Sequence, residues 1–175
     1  MENTMYFAYG SNINLEQMAY RCPDAQVVGP VTLEGWELLF RRGGFATIAP
    51  KEGEKVTGLL WSITRSCERS LDYYEGYPRF YNKQMVTVRD SEGRSLSVMA
   101  YIMDERFREP MLPTDTYYNG ILEGYRQNGL PTAELKKAWD HAVREVHQET
   151  ERINAIATGR AKPQSGPKRG KPHER

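Results

Sequence analysis

Short apolar runs separated by glycines fill the first third of the chain. Met5–Tyr9 ends at the turn Gly10–Ser11, which predicts a strand that stops there. Between residues 26 and 62 the apolar runs are Val27–Val28, Val31–Leu33, Trp36–Phe40, Thr47–Ile48 and Val56–Trp61. The turns predicted between them fall at Gly29–Pro30, Gly35, Gly43–Gly44 and Gly53. Many short strands joined by glycine turns favour an antiparallel sheet or a small barrel.

Helix signals flank this β-rich region on both sides. Asn14 is a suitable N-cap for a helix that runs to about Arg21, and Gln17 is placed to bond back to the cap amide. A second helix is predicted over Thr64–Glu75, with Thr64 or Ser66 as its N-cap. It ends at Gly76 because glycine readily adopts the left-handed conformation of a helix stop.

The second half of the chain predicts a β-hairpin followed by two helices. The hairpin consists of Tyr81–Arg89, the turn Ser91–Gly93 and Ser95–Met103. The helices are expected from Thr114 to about Asn128 and from Thr132 to about Ile156, so that a long helix lies last. Strands and helices in separate runs are typical of an α+β fold.

Charge divides the chain into a mildly acidic body and a basic end. Residues 159–175 hold six basic residues, one acid, three glycines and three prolines, which predicts a disordered tail. Residues 1–158 then form one domain with 18 basic and 22 acidic residues. A body of that charge is a poor match for nucleic acid, which is bound by clustered Lys and Arg.

Composition also narrows the compartment and the redox chemistry. No stretch approaches the roughly 20 apolar residues of a membrane span, and the first residues lack the basic start of a signal peptide. We therefore expect a cytoplasmic protein with no membrane partner, as a monomer or a homodimer. Cys22 and Cys67 stand far apart in sequence and are predicted to pack in the core, without a disulfide.

Several common catalytic arrangements are absent from the sequence. His141 and His147 are six residues apart, which places them on different faces of a helix, and His173 lies in the basic tail. These histidines predict neither a zinc site nor a Ser-His-Asp triad. Glycine-rich phosphate-binding motifs are also missing. An enzyme with this sequence is expected to use carboxylates, tyrosines and backbone amides, with no metal and no cofactor.

Two local features suit such chemistry. Tyr9, Gly10, Ser11 and Asn12 lie where a strand turns into a helix, so successive backbone amides can form an anion-binding nest. Glu75 ends a helix among tyrosines, and both the helix dipole and apolar neighbours would raise the pKa of its carboxyl group. Each feature also has an ordinary interpretation, as a polar turn and as a surface glutamate.

Taken together and in order, the motifs of the chain resemble the γ-glutamylcyclotransferase (AIG2-like) family. The resemblance covers about Met5 to Pro131. It rests on Tyr9–Asn12, Gly35–Phe40, Gly44–Ile48, Val56–Trp61, Leu71–Pro78, Ala100–Met103 and Asn128–Pro131. It implies a small mixed-strand β-barrel flanked by helices. It also implies a reaction in which a γ-glutamyl amide cyclises to 5-oxoproline and releases an amine or amino acid.

The resemblance assigns roles to individual residues. Glu75 matches the family's catalytic glutamate, which acts as general acid and base. Gly10, Ser11 and Asn12, after Tyr9, match the loop whose amides hold the γ-glutamyl group. Further substrate contacts are implied for Tyr81, Tyr101 and Tyr117, with Tyr118 next to Tyr117 as the alternative. The chain departs from the family in two places: the segment 104–113 is short, and the long last helix with its basic tail has no counterpart in the family. The resemblance therefore does not identify the amine that is released.

Two other functions stay open at this point. The chain could bind a γ-glutamyl-like metabolite without turnover and regulate a partner, although a binder has no need of a base at Glu75. It could instead be an interaction protein that acts through its basic tail, for example toward an acidic partner, and Glu75 would then be dispensable.

Overall fold

Five strands close into a barrel in the computed structural model, which describes residues 2–162. The strands are β1 (Thr4–Ala8), β2 (Gln26–Arg41), β3 (Phe45–Ile63), β4 (Tyr81–Asp90) and β5 (Ser95–Met103). The helices are α1 (Leu15–Arg21), α2 (Arg65–Glu75), α3 (Asp115–Gln127) and α4 (Thr132–Ala157). The predicted α+β class, with a barrel flanked by helices and a long last helix, is confirmed.

Both strand directions occur in the barrel, whose order is β1-β3-β2-β4-β5. The pairs β1–β3, β2–β3, β2–β4 and β4–β5 are antiparallel. The closing pair β1–β5 is parallel and meets at Tyr6 and Met99. Closure leaves β1 between two partners, so the loop that follows it starts from a fixed position at one end of the barrel.

The prediction of many short strands between residues 26 and 62 was wrong. This region forms only two long strands, β2 and β3, joined by a tight turn at Arg42–Gly44. The register shifts at Val27/Gly29 and Glu34/Trp36, so two of the glycines mark bulges inside β2, and the predicted turn at Gly53 lies within β3. Glycine inside a strand pattern indicates a bulge as readily as a turn.

Apolar side chains fill the barrel interior. Two glycines allow other parts of the chain to pack closely against the end of β1 and against the segment that follows it. Gly58 lies so close to the Ala8 carbonyl and the Phe7 ring that a Cβ there would be 2.3–2.4 Å from them. Gly124 on α3 lies against the backbone of Ile13 and Asn14 in the same way, at 2.7–3.0 Å. A larger residue at Gly58 would displace the end of β1, and one at Gly124 would displace the segment that follows β1.

The helix ends follow the predicted signals, with one exception. Thr64 caps α2 by accepting from the Cys67 amide, and Gly76 ends it in the left-handed conformation. Asn14 caps α1 by accepting from the Gln17 amide, as expected. The Gln17 side chain, however, does not bond back to the cap; it accepts from Arg21, 2.9 Å away.

The C-terminal helix packs mainly on β2, through Leu135, Ala138 and Ala142. Helix α4 ends at Ala157, close to the predicted Ile156. The predicted tail begins at residue 159, and its residues 163–175 lie outside the described part of the chain. Among the described residues, no helix combines the length and the apolar character needed to cross a bilayer.

Candidate active site

A small cavity opens at the end of the barrel where β1 leads into α1. Its volume is about 130 Å³. The loop Tyr9–Asn12 forms one side, and Glu75 at the end of α2 forms another. The other lining residues are Tyr6, Phe45, Ala46, Tyr74, Phe80, Tyr81, Tyr101 and Tyr117. Two segments more than sixty residues apart in sequence therefore meet at one cavity, as the roles that the resemblance implies for both of them require.

Glu75 is the one carboxylic acid among the residues that line this cavity. Its side chain is partly exposed at the cavity opening, but the carboxylate is surrounded by protein atoms. Loss of hydration raises the pKa of Glu75 to about 7, although Arg21 and the hydrogen bond from Asn12 act in the opposite direction. A carboxyl group with a pKa near neutrality can both accept and donate a proton at physiological pH.

Asn12 links the loop to Glu75 and is almost completely buried. Its Nδ2 donates to Glu75 Oε1 at 3.2 Å and to the Tyr6 hydroxyl at 2.9 Å. Its Oδ1 accepts from Arg21 Nη1 at 2.8 Å, and its carbonyl accepts from Trp61 Nε1 at 3.0 Å. Three partners fix the orientation of the side-chain amide, and Trp61 holds the backbone of the same residue, so the position of Glu75 Oε1 relative to the loop is also fixed.

Arg21 is a functional candidate that the sequence analysis missed. Its guanidinium donates to Asn12, to Ser11 Oγ at 3.3 Å and to Gln17 Oε1 at 2.9 Å. It also lies over the Tyr74 ring, 3.8 Å from the ring centre, and the Tyr74 hydroxyl lies 3.1 Å from Ser11 Oγ. Arg21 therefore ties α1, the loop and α2 together. Basic residues are common in the last turn of a helix because they interact favourably with the helix dipole, so the sequence position of Arg21 does not indicate a role at the site.

Three of the predicted tyrosines lie in the cavity wall but direct their hydroxyl hydrogens at other protein groups. The Tyr9 hydroxyl donates to the Tyr101 carbonyl at 2.5 Å. The Tyr81 hydroxyl donates to the Ala46 carbonyl at 2.6 Å. The Tyr101 hydroxyl donates to Asp72 Oδ1 at 2.5 Å, outside the cavity. With their hydroxyls bonded to protein groups, these lining residues give the cavity a rigid aromatic wall.

The structure brings Tyr117 to the cavity, whereas Tyr118 packs near Phe40 on the other side of α3. The Tyr117 hydroxyl accepts from the Ala46 amide at 3.1 Å, and a Cβ on Gly10 would be 3.5 Å from it. Tyr6, also missed in sequence, accepts from Asn12. Within residues 2–162, the hydroxyl hydrogens of Tyr6 and Tyr117 have no protein acceptor, so both can donate to a bound molecule.

The loop itself supplies further donors. Residues Ser11–Ile13 form a single 3₁₀ turn, in which the Ile13 amide donates to the Gly10 carbonyl. The amides of Gly10, Ser11 and Asn12 have no acceptor within the described part of the chain. Free amides that face a small cavity suit a carboxylate or a developing oxyanion.

A second and larger concave space lies between α4 and the parts of β2 and β3 around residues 34–38 and 51–56. We call it the α4 groove; its volume is about 940 Å³. Its lining residues include His141 and the charged side chains of Glu54, Lys137, Arg144 and Glu145. Neither this groove nor any other place among residues 2–162 brings together three or more His, Cys, Asp or Glu side chains that could hold a metal ion.

Comparison with known proteins identifies relatives over most of the chain. The family model described as "Gamma-glutamyl cyclotransferase, AIG2-like" matches residues 6–119, a range that includes all the cavity residues. The γ-glutamylcyclotransferase of Bos taurus is 33% identical over 147 residues, which cover 78% of this chain and 77% of that protein. The Homo sapiens γ-glutamylcyclotransferase is 33% identical over 141 residues, or 74% of each chain.

Solved structures agree with these matches. A structure of a γ-glutamyl cyclotransferase superposes with a TM-score of 0.71 at 31% identity, over 78% of this chain and 86% of that one. A crystal structure of an uncharacterised protein from Homo sapiens superposes with a TM-score of 0.70 at 31% identity, over 79% and 87% of the two chains.

Proposed function

Since the chain belongs to the γ-glutamyl cyclotransferase, AIG2-like family of enzymes, we propose that it converts a γ-glutamyl amide to 5-oxoproline and a free amine, with Glu75 as general acid and base. The observation that carries the proposal is the convergence of Glu75 with the free amides of the loop Tyr9–Asn12 at one cavity. The raised pKa of Glu75, about 7, suits a group that must take and return a proton.

The first half of the reaction forms a carbon–nitrogen bond. Glu75 takes a proton from the α-ammonium group of the γ-glutamyl substrate, which leaves a neutral amine with a free electron pair. This amine attacks the γ-carbonyl carbon and closes a five-membered ring. Because the attack is intramolecular, the protein contributes chiefly by holding the folded-back conformation of the substrate.

The second half breaks the bond to the leaving group. Ring closure places negative charge on the former carbonyl oxygen, and the amides of Gly10, Ser11 and Asn12 together with the Tyr117 hydroxyl are the available donors. The tetrahedral intermediate then collapses as the bond to the leaving nitrogen breaks. Glu75 returns its proton to that nitrogen. The ring nitrogen still holds one proton more than the product lactam, and Glu75 passes this proton to the released amine, which leaves as an ammonium ion while Glu75 ends the cycle in its starting protonation state.

The aromatic wall serves this chemistry by keeping water out. Tyr9, Tyr81 and Tyr101 are each less than 7% exposed, and their hydroxyls are held by other protein groups. We propose that their rings shape the space for the apolar carbons of the γ-glutamyl group. In a cavity of this kind, hydrogen bonds to the reacting oxygen are stronger than they would be in water.

Detection of 5-oxoproline tests the proposal. The protein is incubated with a set of γ-glutamyl amino acids and γ-glutamyl amines, and the products are identified by mass spectrometry. We expect 5-oxoproline in equal amount to the released amine. Tight binding of these compounds with no product would favour a metabolite-binding protein instead, and neither binding nor turnover would favour an interaction protein.

Some features of the proposal rest on sequence alone. The division into a domain over 1–158 and a basic tail over 159–175, the cytoplasmic location, the absence of a cofactor, and a monomeric or homodimeric state stay predictions. The oligomeric state is measured by sedimentation, and the role of the tail by truncation.

A further inference from the structure

The size of the cavity raises the question of where the leaving group lies. A volume of about 130 Å³ is less than half of the roughly 300 Å³ at the lower end of pockets that enclose a drug-sized ligand. The space therefore suits one amino-acid-sized group. If the γ-glutamyl half occupies it, the other half of the substrate must extend beyond the cavity opening.

The exposure of the lining residues shows where this opening lies. Tyr6, Asn12, Tyr81 and others at the bottom are less than 7% exposed. By contrast, Phe45 is 41% exposed and Tyr74 is 42% exposed, and Phe80 is partly exposed as well. We refer to Phe45, Tyr74 and Phe80 together as the aromatic mouth.

The chemistry directs the leaving group toward this mouth. Glu75 must lie within about 2.6–3.2 Å of the leaving nitrogen, or one water away, to protonate it. Glu75 is next to Tyr74 in sequence and is itself partly exposed at the opening. A substituent on that nitrogen consequently leaves the cavity past the rings of the mouth.

The two phenylalanine rings of the mouth are apolar and are held in place by their neighbours. Phe45 packs edge-on against Phe80 with ring centres 6.1 Å apart, and against Tyr117 at 5.3 Å. The Phe107 ring packs against Phe80, with the ring centres 5.2 Å apart. Rings fixed in this way offer an apolar surface at little cost in side-chain entropy.

Two arginines close to the mouth residues already have partners. No lysine or arginine is among the described residues that line the cavity. Arg21 is hydrogen bonded to Ser11, Asn12 and Gln17. Arg42 lies over the Phe107 ring and 3.9 Å from Glu109.

From this arrangement, and resting on the proposed function, we propose that the aromatic mouth is the leaving-group subsite and that the enzyme prefers γ-glutamyl amides with an aromatic or other large apolar leaving group. The ring of the leaving group packs on Phe45 and Phe80 and covers apolar surface that is exposed in the free enzyme. A carboxylate on the leaving group is not required, so aromatic amino acids and aromatic amines both qualify.

The test compares kcat/KM for 5-oxoproline formation from γ-glutamylphenylalanine, γ-glutamylphenethylamine and γ-glutamylglycine. We expect both aromatic compounds to exceed γ-glutamylglycine by about 5-fold to 50-fold, since burial of a large apolar group at a partly exposed site falls at or below the usual range for hydrophobic pockets. Phe45→Ala and Phe80→Ala should each lower this ratio several-fold. Phe45→Leu, which keeps apolar bulk, should retain more of the preference than Phe45→Ala does.

A matched control separates the mouth from general damage. Tyr73 is on the same helix as Tyr74, is 92% exposed and does not line the cavity, so Tyr73→Ala should keep the wild-type ratio. The rate with γ-glutamylglycine, measured in each variant, corrects for any loss of folded enzyme. Equal kcat/KM for all three compounds, or a preference for γ-glutamylphenylalanine without one for γ-glutamylphenethylamine, would overturn the subsite. Formation of no 5-oxoproline from any compound would instead overturn the proposed function on which it rests.

Discussion

The α4 groove and the cavity at Glu75 differ in size and in the partners of their carboxylate side chains. The α4 groove is about seven times larger than the cavity at Glu75, at about 940 Å³ against about 130 Å³. In the groove, Glu145 makes a bidentate ion pair with Arg41, with both distances 2.9 Å. Glu54 pairs with Lys137 at 2.7 Å.

In the small cavity, by contrast, Glu75 has one hydrogen bond from a neutral amide and no ion pair within the described residues. The consequences for the carboxyl groups are opposite. The hydrogen bond from Lys137 and its charge lower the pKa of Glu54, whereas burial raises the pKa of Glu75. The comparison teaches that a reactive carboxylate is recognised by burial without a matching cation, and that the volume of a depression is a poor guide.

Replacement of the two glutamates gives the largest expected difference. Glu75→Gln keeps the shape of the side chain but removes the proton-transfer group, so turnover should fall about 10²-fold to 10⁴-fold. Glu145→Gln, the matched change in the α4 groove, should leave turnover within about twofold because its site takes no part in the reaction. Steady-state rates of 5-oxoproline formation measure both; near-normal turnover in Glu75→Gln would remove Glu75 from the mechanism.

A pair of arginines sharpens the same comparison. Arg21→Met removes the donors that hold Ser11 and Asn12. Because small misplacements of catalytic groups lower rates by up to about 100-fold, kcat/KM should fall about 10-fold to 100-fold. Because the Arg21 charge lowers the pKa of Glu75, the midpoint of the acidic limb of the pH–rate profile should also move to higher pH. Tyr6, Tyr9, Tyr81 and Tyr117 face Glu75 from the other elements and stay neutral near this midpoint.

Arg144→Met, in the α4 groove, is the control for this change and should alter neither the rate nor the profile. If Arg21→Met lowered the rate without moving the midpoint, the arginine would act on the loop geometry alone. An unchanged rate in Arg21→Met would show that the loop keeps its position without these bonds.

The pH dependence of stability tests the desolvation of Glu75 without any substrate. The pKa of Glu75 is about 7 in the folded protein, against an ordinary value of 4.5, so the folded state holds this proton more tightly than the unfolded state does. The stabilising contribution is complete below about pH 4.5 and is lost as the pH rises through 7. The change in unfolding free energy that Glu75→Gln causes should therefore be about 1–3 kcal/mol more stabilising at pH 8 than at pH 5.

Urea denaturation at the two pH values measures this difference. Glu145→Gln should show the contrasting behaviour, a loss of stability at both pH values, because it leaves the partly buried Arg41 without its ion pair. A Glu75→Gln variant whose effect is the same at pH 5 and pH 8 would mean that Glu75 is hydrated in the folded protein.

Removal of the basic tail is expected to have the smallest effect. Truncation after Thr158 should leave the melting temperature and turnover unchanged, because the cavity and the buried core lie within residues 6–142. Thermal melting and the 5-oxoproline assay measure this, and a large drop in either would give residues 159–175 a role in the domain.

The sequence predicted the fold well where local signals and tertiary structure agree. Thr64 and Gly76 bound α2, and Asn14 begins α1, because caps act through neighbouring backbone atoms. The strands between residues 26 and 62 were divided wrongly, since a glycine such as Gly35 can bend a continuous strand or end it. Which of these occurs depends on pairing with β3, and a single strand's pattern does not contain that information.

The site was predictable in part for a similar reason. Glu75 and the loop Tyr9–Asn12 stood out through their motifs, and the structure brings them together at one cavity. Arg21 and Tyr6 did not stand out, because their importance comes from contacts across the barrel end. The direction of a tyrosine hydroxyl, such as the outward bond of Tyr101 to Asp72, likewise follows from three-dimensional packing.

A crystal structure of the Glu75→Gln variant with γ-glutamylphenylalanine bound would test the central claim most directly, since the variant should bind substrate without turning it over. The account predicts the γ-glutamyl half in the small cavity, its oxygens at the amides of Gly10 to Asn12, and its α-nitrogen within about 3.2 Å of the residue 75 side chain or one water away. The phenyl ring should lie on Phe45 and Phe80. Density for the substrate in the α4 groove, or in the cavity with residue 75 turned away from both nitrogens, would contradict the account.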